Sequence, residues 1–385
     1  MRTTGPAPGL TPTGPWPDPD PDPSRELLAV CTATGLRGNA THSETTVPVV
    51  IEWSEWRDAE AATGWDPAVQ RMSDHSFYQS YAWGEYKRRA GWTPRRATVL
   101  LDATPAAMVQ CLVREVRWAR LALVWVPGAL AGSKAGLLAL GLALRQRYRG
   151  WLLWVRVNAV HEVWPDYTRD FETRDWHRAS GRLGHPVTFQ LDLSRDAMAR
   201  RATLSRNWRH NLVRGEQRGG HIVVLAHDDP LEGAYRVYQE SGERKGLPGL
   251  VTLSDLEALR AIAGDALSLA VAVDDGGAPM AMRAFMRCAE RADDFLAGVS
   301  EDGRRCYANY LLTWRLLEVA REAGVSVYDM GGADAVRAAG VRAFKQGLGG
   351  REVTLVGEWE WQSSRWLRWA VGRALGGLMR SRVPA

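Results

Sequence analysis

The chain has 385 residues, 45% of them hydrophobic and 24% charged, which places it among globular proteins and is too long for one ordinary core. Its net charge of +5 rests mainly on arginine, which favours anionic partners without choosing among phosphates, nucleic acid and acidic lipid. Four scattered cysteines (Cys31, Cys111, Cys288, Cys306) form no CxxC pair, so neither a disulfide framework nor a zinc site is indicated, and a reduced, cytoplasmic setting fits.

Residues 1–48 carry Pro-Asp repeats and no apolar periodicity; they read as a disordered tail or as sequence ahead of the true start, without the pattern of a signal peptide. No run is long and apolar enough to span a bilayer. Order is expected from residue 49. Residues 81–89 have helical spacing stopped by Gly91, 98–101 and 107–113 read as strands, and 121–126 as another strand. A helix over 136–148 and a strand over 151–157 follow. The second half repeats the pattern: strand 220–225, helices 231–244 and 254–262, then a hairpin of 267–273 with 279–288 across Asp-Asp-Gly-Gly. Strand 294–300, one long helix 304–323 and strand 325–329 complete it. Meander, long helix, strand is the order of a GNAT acyltransferase core, and two in tandem account for the length. The expected fold is α/β, with tandem GNAT-like domains at 49–190 and 191–362, mixed sheets and no coiled-coil arm.

Three stretches carry candidate chemistry. Residues 328–350 frame Phe344-Lys345 with glycines, from Gly331-Gly332 to Gly349-Gly350, as a backbone shaped around a ligand would; an ordinary αβ loop is the bland alternative. Residues 204–220 crowd Arg206, Arg209, Arg214 and Arg218 on one helix, either a solvated basic face or a phosphate site. Residues 365–382 place Leu367, Ala370 and Val371 on one helical face, arginines opposite and Trp366 and Trp369 on the border, as an interfacial or a docked terminal helix does. Asp329, at a strand end beside glycines, is either a general base or a loop-holding carboxylate. Tyr328 either lines a pocket or packs.

Together the segments resemble the FemABX family of peptidoglycan-bridge aminoacyltransferases. The likeness rests on Gln79-x-x-x-Trp83-x-x-x-Lys87, on Asn207-x-Arg209-x-Asn211, and on Asp329-x-Gly331-Gly332 followed by Phe344-Lys345-x-Gly347-x-Gly349-Gly350. The resemblance implies transfer of an amino acid from aminoacyl-tRNA to an amine on a nucleotide- or lipid-linked peptidoglycan precursor, with no further cofactor. By that likeness Lys87 and Arg209 bind the precursor diphosphate with Asn207 beside them. Lys345 faces the reacting ester, and Phe344 shapes the channel. It further implies a cytoplasmic monomer, with peripheral membrane contact through the C-terminal helix of 363–385 left open. The alternatives are an acyl-CoA-dependent N-acyltransferase and a non-catalytic GNAT pair that binds precursors or RNA. Against acyl-CoA stands SEDGRRCYAN at 300–309, a poor cradle for a pyrophosphate.

Overall fold

The computed structural model describes residues 50–179, 184, 186–246, 251–332 and 339–371. The first half holds β1 (Ile51–Glu55), α1 (Asp58–Gln70), α2 (Tyr81–Arg89), β2 (Thr93–Leu101), β3 (Thr104–Val116) and β4 (Leu121–Gly128). The short β5 (Ala131–Gly132), α3 (Lys134–Arg147), β6 (Leu152–Glu162), α4 (Tyr167–Glu172) and the short β7 (His177–Arg178) follow. Next come β8 (Val187–Asp192), α5 (Ala197–Thr203), α6 (Arg206–Arg218), β9 (His221–Val224), α7 (Glu232–Arg244) and α8 (Leu253–Ala263). The chain continues through β10 (Leu267–Val273), β11 (Pro279–Cys288), β12 (Arg291–Val299), α9 (Glu301–Arg305) and α10 (Ala308–Glu322). It then forms β13 (Val327–Gly332), α11 (Ala339–Gly347) and β14 (Arg351–Gln362).

The strands form one path, β1-β2-β3-β4-β6-β14-β8-β13-β12-β11-β10-β9. Each half is an antiparallel meander that ends in a parallel pair around a crossover: β4 with β6 across α3, and β12 with β13 across α9 and α10. This is the repeated grammar expected from the sequence. The boundaries differ. Arg351–Thr354 of β14 pair with β8, while the rest of the strand, from Leu355 to Gln362, pairs with β6. The final strand therefore belongs to both halves, and β8, which the expected boundary at 190 would cut, lies beside β13 in the second. Gly357, at φ +75, lies at the irregular register where β14 passes from one partner to the other.

Side-chain alternation sorts the second sheet into two faces. On β10, Ala270 and Ala272 face Trp208, Leu212 and Leu312 of α6 and α10. Leu269 and Val271 face the opposite way, toward Val237 of α7 and Leu256 and Leu259 of α8. On that second face the first half contributes α2, whose Trp83 and Tyr86 are buried in the same cluster. The two halves thus share a core as well as a sheet. Burying an indole such as Trp83 there contributes on the order of 3 kcal/mol.

Two further differences have local causes. The single helix expected over 304–323 is broken into α9 and α10 because Tyr307 takes φ +60, its hydroxyl accepting from Arg214 Nη1 at 2.6 Å. Residues 58–70 carry no helical expectation, since Gly64 and Pro67 interrupt them, yet Trp65 and Val69 bury one side of α1 completely. Among the described residues no helix is long and apolar enough to cross a membrane.

Candidate functional site

The two parallel pairs differ in how far they close. β4 and β6 stay in register over eight pairs, from Leu121↔Leu152 to Gly128↔Ala159. β12 and β13 pair only at Arg291↔Val327, Ala292↔Tyr328 and Asp293↔Asp329. Beyond that point β12 runs on to Val299 and β13 to Gly332 without pairing to each other, which leaves a wedge open within the second sheet.

The residues around the wedge account for its opening. Gly331 has φ +68, and Lys345 Nζ donates to the carbonyls of Gly331 at 2.9 Å and Gly332 at 2.8 Å. Both carbonyls are thus turned to the ammonium where β13 departs from β12, while Gly332 still pairs with Thr188 of β8. Asp329 holds the turn: its Oδ1 accepts from Gly331 N at 2.7 Å and from Thr188 Oγ1, and its Oδ2 from Gln190 Nε2 at 3.3 Å. Lys345 is 7% exposed, so it is not a surface lysine capping a helix. Burial of the ammonium, with Arg283 adding repulsion, lowers its pKa to about 8 against the pull of Asp294 and Asp329.

Asp293, in register with Asp329, is the most perturbed carboxyl at the wedge. Burial and then the negative charge of Asp329 push its pKa up to about 7. Its neighbour Asp294 points to the other face. There it receives Arg283 Nε at 2.7 Å, Arg283 Nη2 at 2.9 Å and the Tyr328 hydroxyl at 3.0 Å. Tyr328 is 1% exposed and its hydroxyl is bonded to this carboxylate, so of the two readings it packs. Phe344 is half-buried against Trp208, with centroids 5.5 Å apart, and Tyr310, at 5.1 Å.

Other candidates fall elsewhere. Gln79 is completely buried: its Nε2 donates to the Pro127 carbonyl at 2.6 Å and its Oε1 accepts from Gln110 N at 2.6 Å. It ties the segment before α2 to β3 and β4 and has no side-chain surface for a substrate. Trp83 is a core residue. Lys87 lays its ammonium over the Trp83 and Tyr86 rings at 4.4 and 4.6 Å, and burial lowers its pKa. Asn207 and Arg209 are exposed on α6 and line an open groove with Arg206, His210 and Val213. Lys87 stands on the α7–α8 face of the second sheet and Arg209 on the α6–α10 face, so the two do not converge on one diphosphate.

A different cationic pair stands at the open end of the wedge. Arg244 Nη2 donates to the carbonyl of Val299, the last residue of β12, at 2.7 Å. At the adjoining Lys245, partial burial of the ammonium, then repulsion from Arg244, Arg283 and Arg304, lowers the pKa. In the sequence these charges read only as the end of a helix before Gly246. A separate cavity of about 370 Å³ opens near the start of β13, lined in part by Arg195, Arg200, Trp314 and Leu348. It lies at the opposite end of that strand from Gly331 and Gly332.

The loop before α10 bears on what this wedge accepts. It is wound into α9, and three of its amides are used internally: Gly303 N donates to Ser300 Oγ at 3.1 Å, Arg304 N to the Ser300 carbonyl at 3.1 Å and Cys306 N to the Asp302 carbonyl at 2.9 Å. A Cβ on Gly303 would lie 2.3 Å from the Met280 carbonyl, so the backbone there is pressed against β11.

Comparison with known proteins agrees with this geometry. Residues 176–346 match the family model described as an acetyltransferase (GNAT) domain. The solved structure of FemX is similar at 15% identity, covering 83% of this chain and 100% of that one, with a TM-score of 0.71. The fold is that of FemX. Also similar is a C-terminal (DUF2156) domain assigned to a lysylphosphatidylglycerol synthetase of Agrobacterium fabrum, at 15% identity, 83% and 97% coverage and a TM-score of 0.51. A tandem GNAT protein from the clavulanic acid biosynthesis pathway gives 14% identity, 82% and 99% coverage and a TM-score of 0.51. No curated protein matches by sequence. The resemblance to Fem enzymes read from the motifs therefore holds at the level of fold, the second half matches a GNAT acyltransferase family model, and the expected tandem GNAT architecture is present.

Proposed function

We propose that the protein is a Fem-type aminoacyltransferase that moves an amino acid from aminoacyl-tRNA to an amine of a peptidoglycan-precursor stem peptide. The observation that carries this reading is the wedge between β12 and β13, with Lys345 at its splayed strand end and two acidic residues, Glu301 and Asp302, at its entrance. A pyrophosphate held by backbone amides is what an acyl-CoA donor needs; here the amides of Gly303, Arg304 and Cys306 are bonded within the turn, and Glu301 and Asp302 set two negative charges beside it. An ester on the tRNA 3′ end needs no such cradle.

Aminolysis of that ester requires an oriented amine, a place for its proton and a positive charge facing the developing oxyanion. The acceptor nitrogen attacks the ester carbonyl, the carbon–oxygen bond to the ribose breaks, and the ribose oxygen leaves with a proton. An ammonium has three donors, and Gly331 and Gly332 take two of those on Lys345. The third is the donor for the oxyanion. Asp293, with its pKa near 7, takes the proton released by the attacking amine. Asp329 positions this pair through the Gly331 turn, and Arg244 with Lys245 supplies charge for a phosphate-bearing substrate at the wedge's open end.

Donor choice tests the proposal. Purified protein is incubated with a pool of charged, labelled tRNAs and a mixture of nucleotide- and lipid-linked muropeptide precursors, with and without RNase, and with acetyl-CoA in parallel. RNase-sensitive transfer to a precursor supports the reading and names the amino acid. RNase-insensitive transfer from acetyl-CoA assigns the protein to acyl-CoA chemistry instead.

A further inference from the structure

Large apolar side chains stand exposed at one end of the first sheet. Trp118 is 91% exposed on the turn between β3 and β4, Leu152 39% at the start of β6, and Trp366 and Trp369 63% and 61% just beyond β14. Pairing brings these segments together. β3 ends and β4 begins at Val116↔Leu121, and Leu121 pairs with Leu152, whose amide donates to the Arg120 carbonyl at 2.6 Å. Next to it, Leu153 exchanges bonds with Ser363, its amide donating to Ser363 Oγ at 2.9 Å and its carbonyl accepting from Ser363 N at 2.8 Å. Leu367, 3% exposed, anchors the turn that carries the two C-terminal tryptophans.

The same end is basic. Arg117, Arg120, Arg149, Arg365 and Arg368 are all exposed. The facing acid is Glu115, which accepts from the Tyr148 hydroxyl at 3.2 Å and lies 3.8 Å from Arg117. Glu172 and Asp175 stand behind Arg368, around His177, and Asp175 lies 3.7 Å from Arg145. Sequence periodicity shows only the terminal helix as amphipathic; the sheet adds Arg117-Trp118, Arg120, Arg149 and Leu152 from two other segments.

We propose that this end of the first sheet is a docking surface for an anionic membrane. Indoles with apolar bodies and a polar N–H settle at the headgroup level, and arginines beside them are drawn to acidic lipid. Several short contacts from separate segments give reversible, salt-sensitive binding rather than insertion. Charge complementarity selects the occupant: a surface this basic and this apolar suits a bilayer carrying phosphatidylglycerol better than a neutral one. β14 connects the two regions, pairing with β8 beside the wedge at one end and reaching the docking surface at the other. The inference does not depend on the acyl-transfer reading, since none of its residues belongs to the wedge.

Sedimentation of the full chain with vesicles tests it. One set of vesicles contains phosphatidylglycerol and phosphatidylcholine, the other phosphatidylcholine alone. The variants are Trp118→Ser with Trp366→Ser, and Arg117→Glu with Arg120→Glu, with unchanged thermal midpoints as the control for folding. The expected result is binding to the anionic vesicles that weakens with salt and falls about tenfold or more in each double variant. Equal partitioning of wild type and variants, or equal binding to both vesicles, overturns the proposal. Variants that lose affinity for bulk tRNA while keeping vesicle binding overturn it too, and make the surface an RNA contact.

Discussion

The two halves are built from the same sequence of elements, and they part at one place. In the first, β4 and β6 are zipped along their whole length; in the second, β12 and β13 separate after Asp293 and Asp329. The residues explain the contrast. LALVWVPG in β4 and LLWVRVNAV in β6 are apolar runs that gain by pairing throughout. The inward charge on β6 is closed off, Arg156 donating to Glu360 at 3.0 Å and also to Glu358, both on β14. In the second half, two aspartates are set side by side, and beyond them two glycine carbonyls bind an ammonium. The first half closes its parallel seam with apolar side chains and places its buried charge across the neighbouring β6–β14 pair; the second places buried charge at the seam itself, where the strands part. The chemistry we propose belongs to the open one.

Substitutions at the matching places sharpen that contrast. The largest effect is expected from Arg156→Ala, which leaves Glu358 and Glu360 buried without their main cation; it should cost about 3–5 kcal/mol in denaturant unfolding. Transfer per folded molecule should not change. Lys345→Ala should lower kcat/KM by on the order of a hundred- to a thousandfold, with the thermal midpoint near that of wild type. Lys345→Arg should not restore it, because a planar guanidinium cannot place its donors as the ammonium does. Asp293→Asn should slow transfer about a hundredfold and remove the acid limb of its pH profile.

That profile follows from two shifts of opposite sign. Asp293 accepts a proton only above its raised pKa of about 7, so the rate rises through that pH. Lys345 loses its charge above its lowered pKa of about 8, so the rate falls beyond it. Activity should peak between them. The raised Asp293 pKa also means that its contribution to stability declines as pH rises from the ordinary carboxylate range to about 7. The smallest effect is expected for Gly331→Ala. A Cβ there would lie 3.7 Å from Lys345 Nζ, an ordinary contact, so the cost is the left-handed backbone alone, about 1 kcal/mol by urea titration.

Much of this was legible in the sequence where local chemistry decides the structure. The hairpin of β10 and β11 appears at its expected limits because Asp274 to Gly277 dictate the turn, and α2 ends where Gly91 predicts. Lys345 stood out in the sequence by its frame of glycines, two of which, Gly347 and Gly349, the structure presses against Ser205, Trp208 and Thr203. What depends on distant pairing was not legible. No local pattern states that β14 serves both halves, or that Tyr307 takes a left-handed conformation to break a helix. Lys87 and Arg209 seemed to belong together because both are cations in motifs; only the alternation of β10 and β11 puts their helices on opposite faces. Asp293 was overlooked because adjacent aspartates look like a solvated edge until one is seen to face Asp329. Of the helix expected over 363–385, the positions after 371 lie outside the described residues.

The most direct test of the open seam is to find where a donor sits. A non-hydrolysable aminoacyl-nucleotide analogue carrying a photoreactive group on its acyl end would be crosslinked to the full chain and mapped by mass spectrometry. Labelling of Asp294–Val299, Met330–Gly332 or α11, competed by charged tRNA, is the predicted result. Labelling confined to β4, β6 or the turn into α3 would place the donor in the closed half and contradict the account.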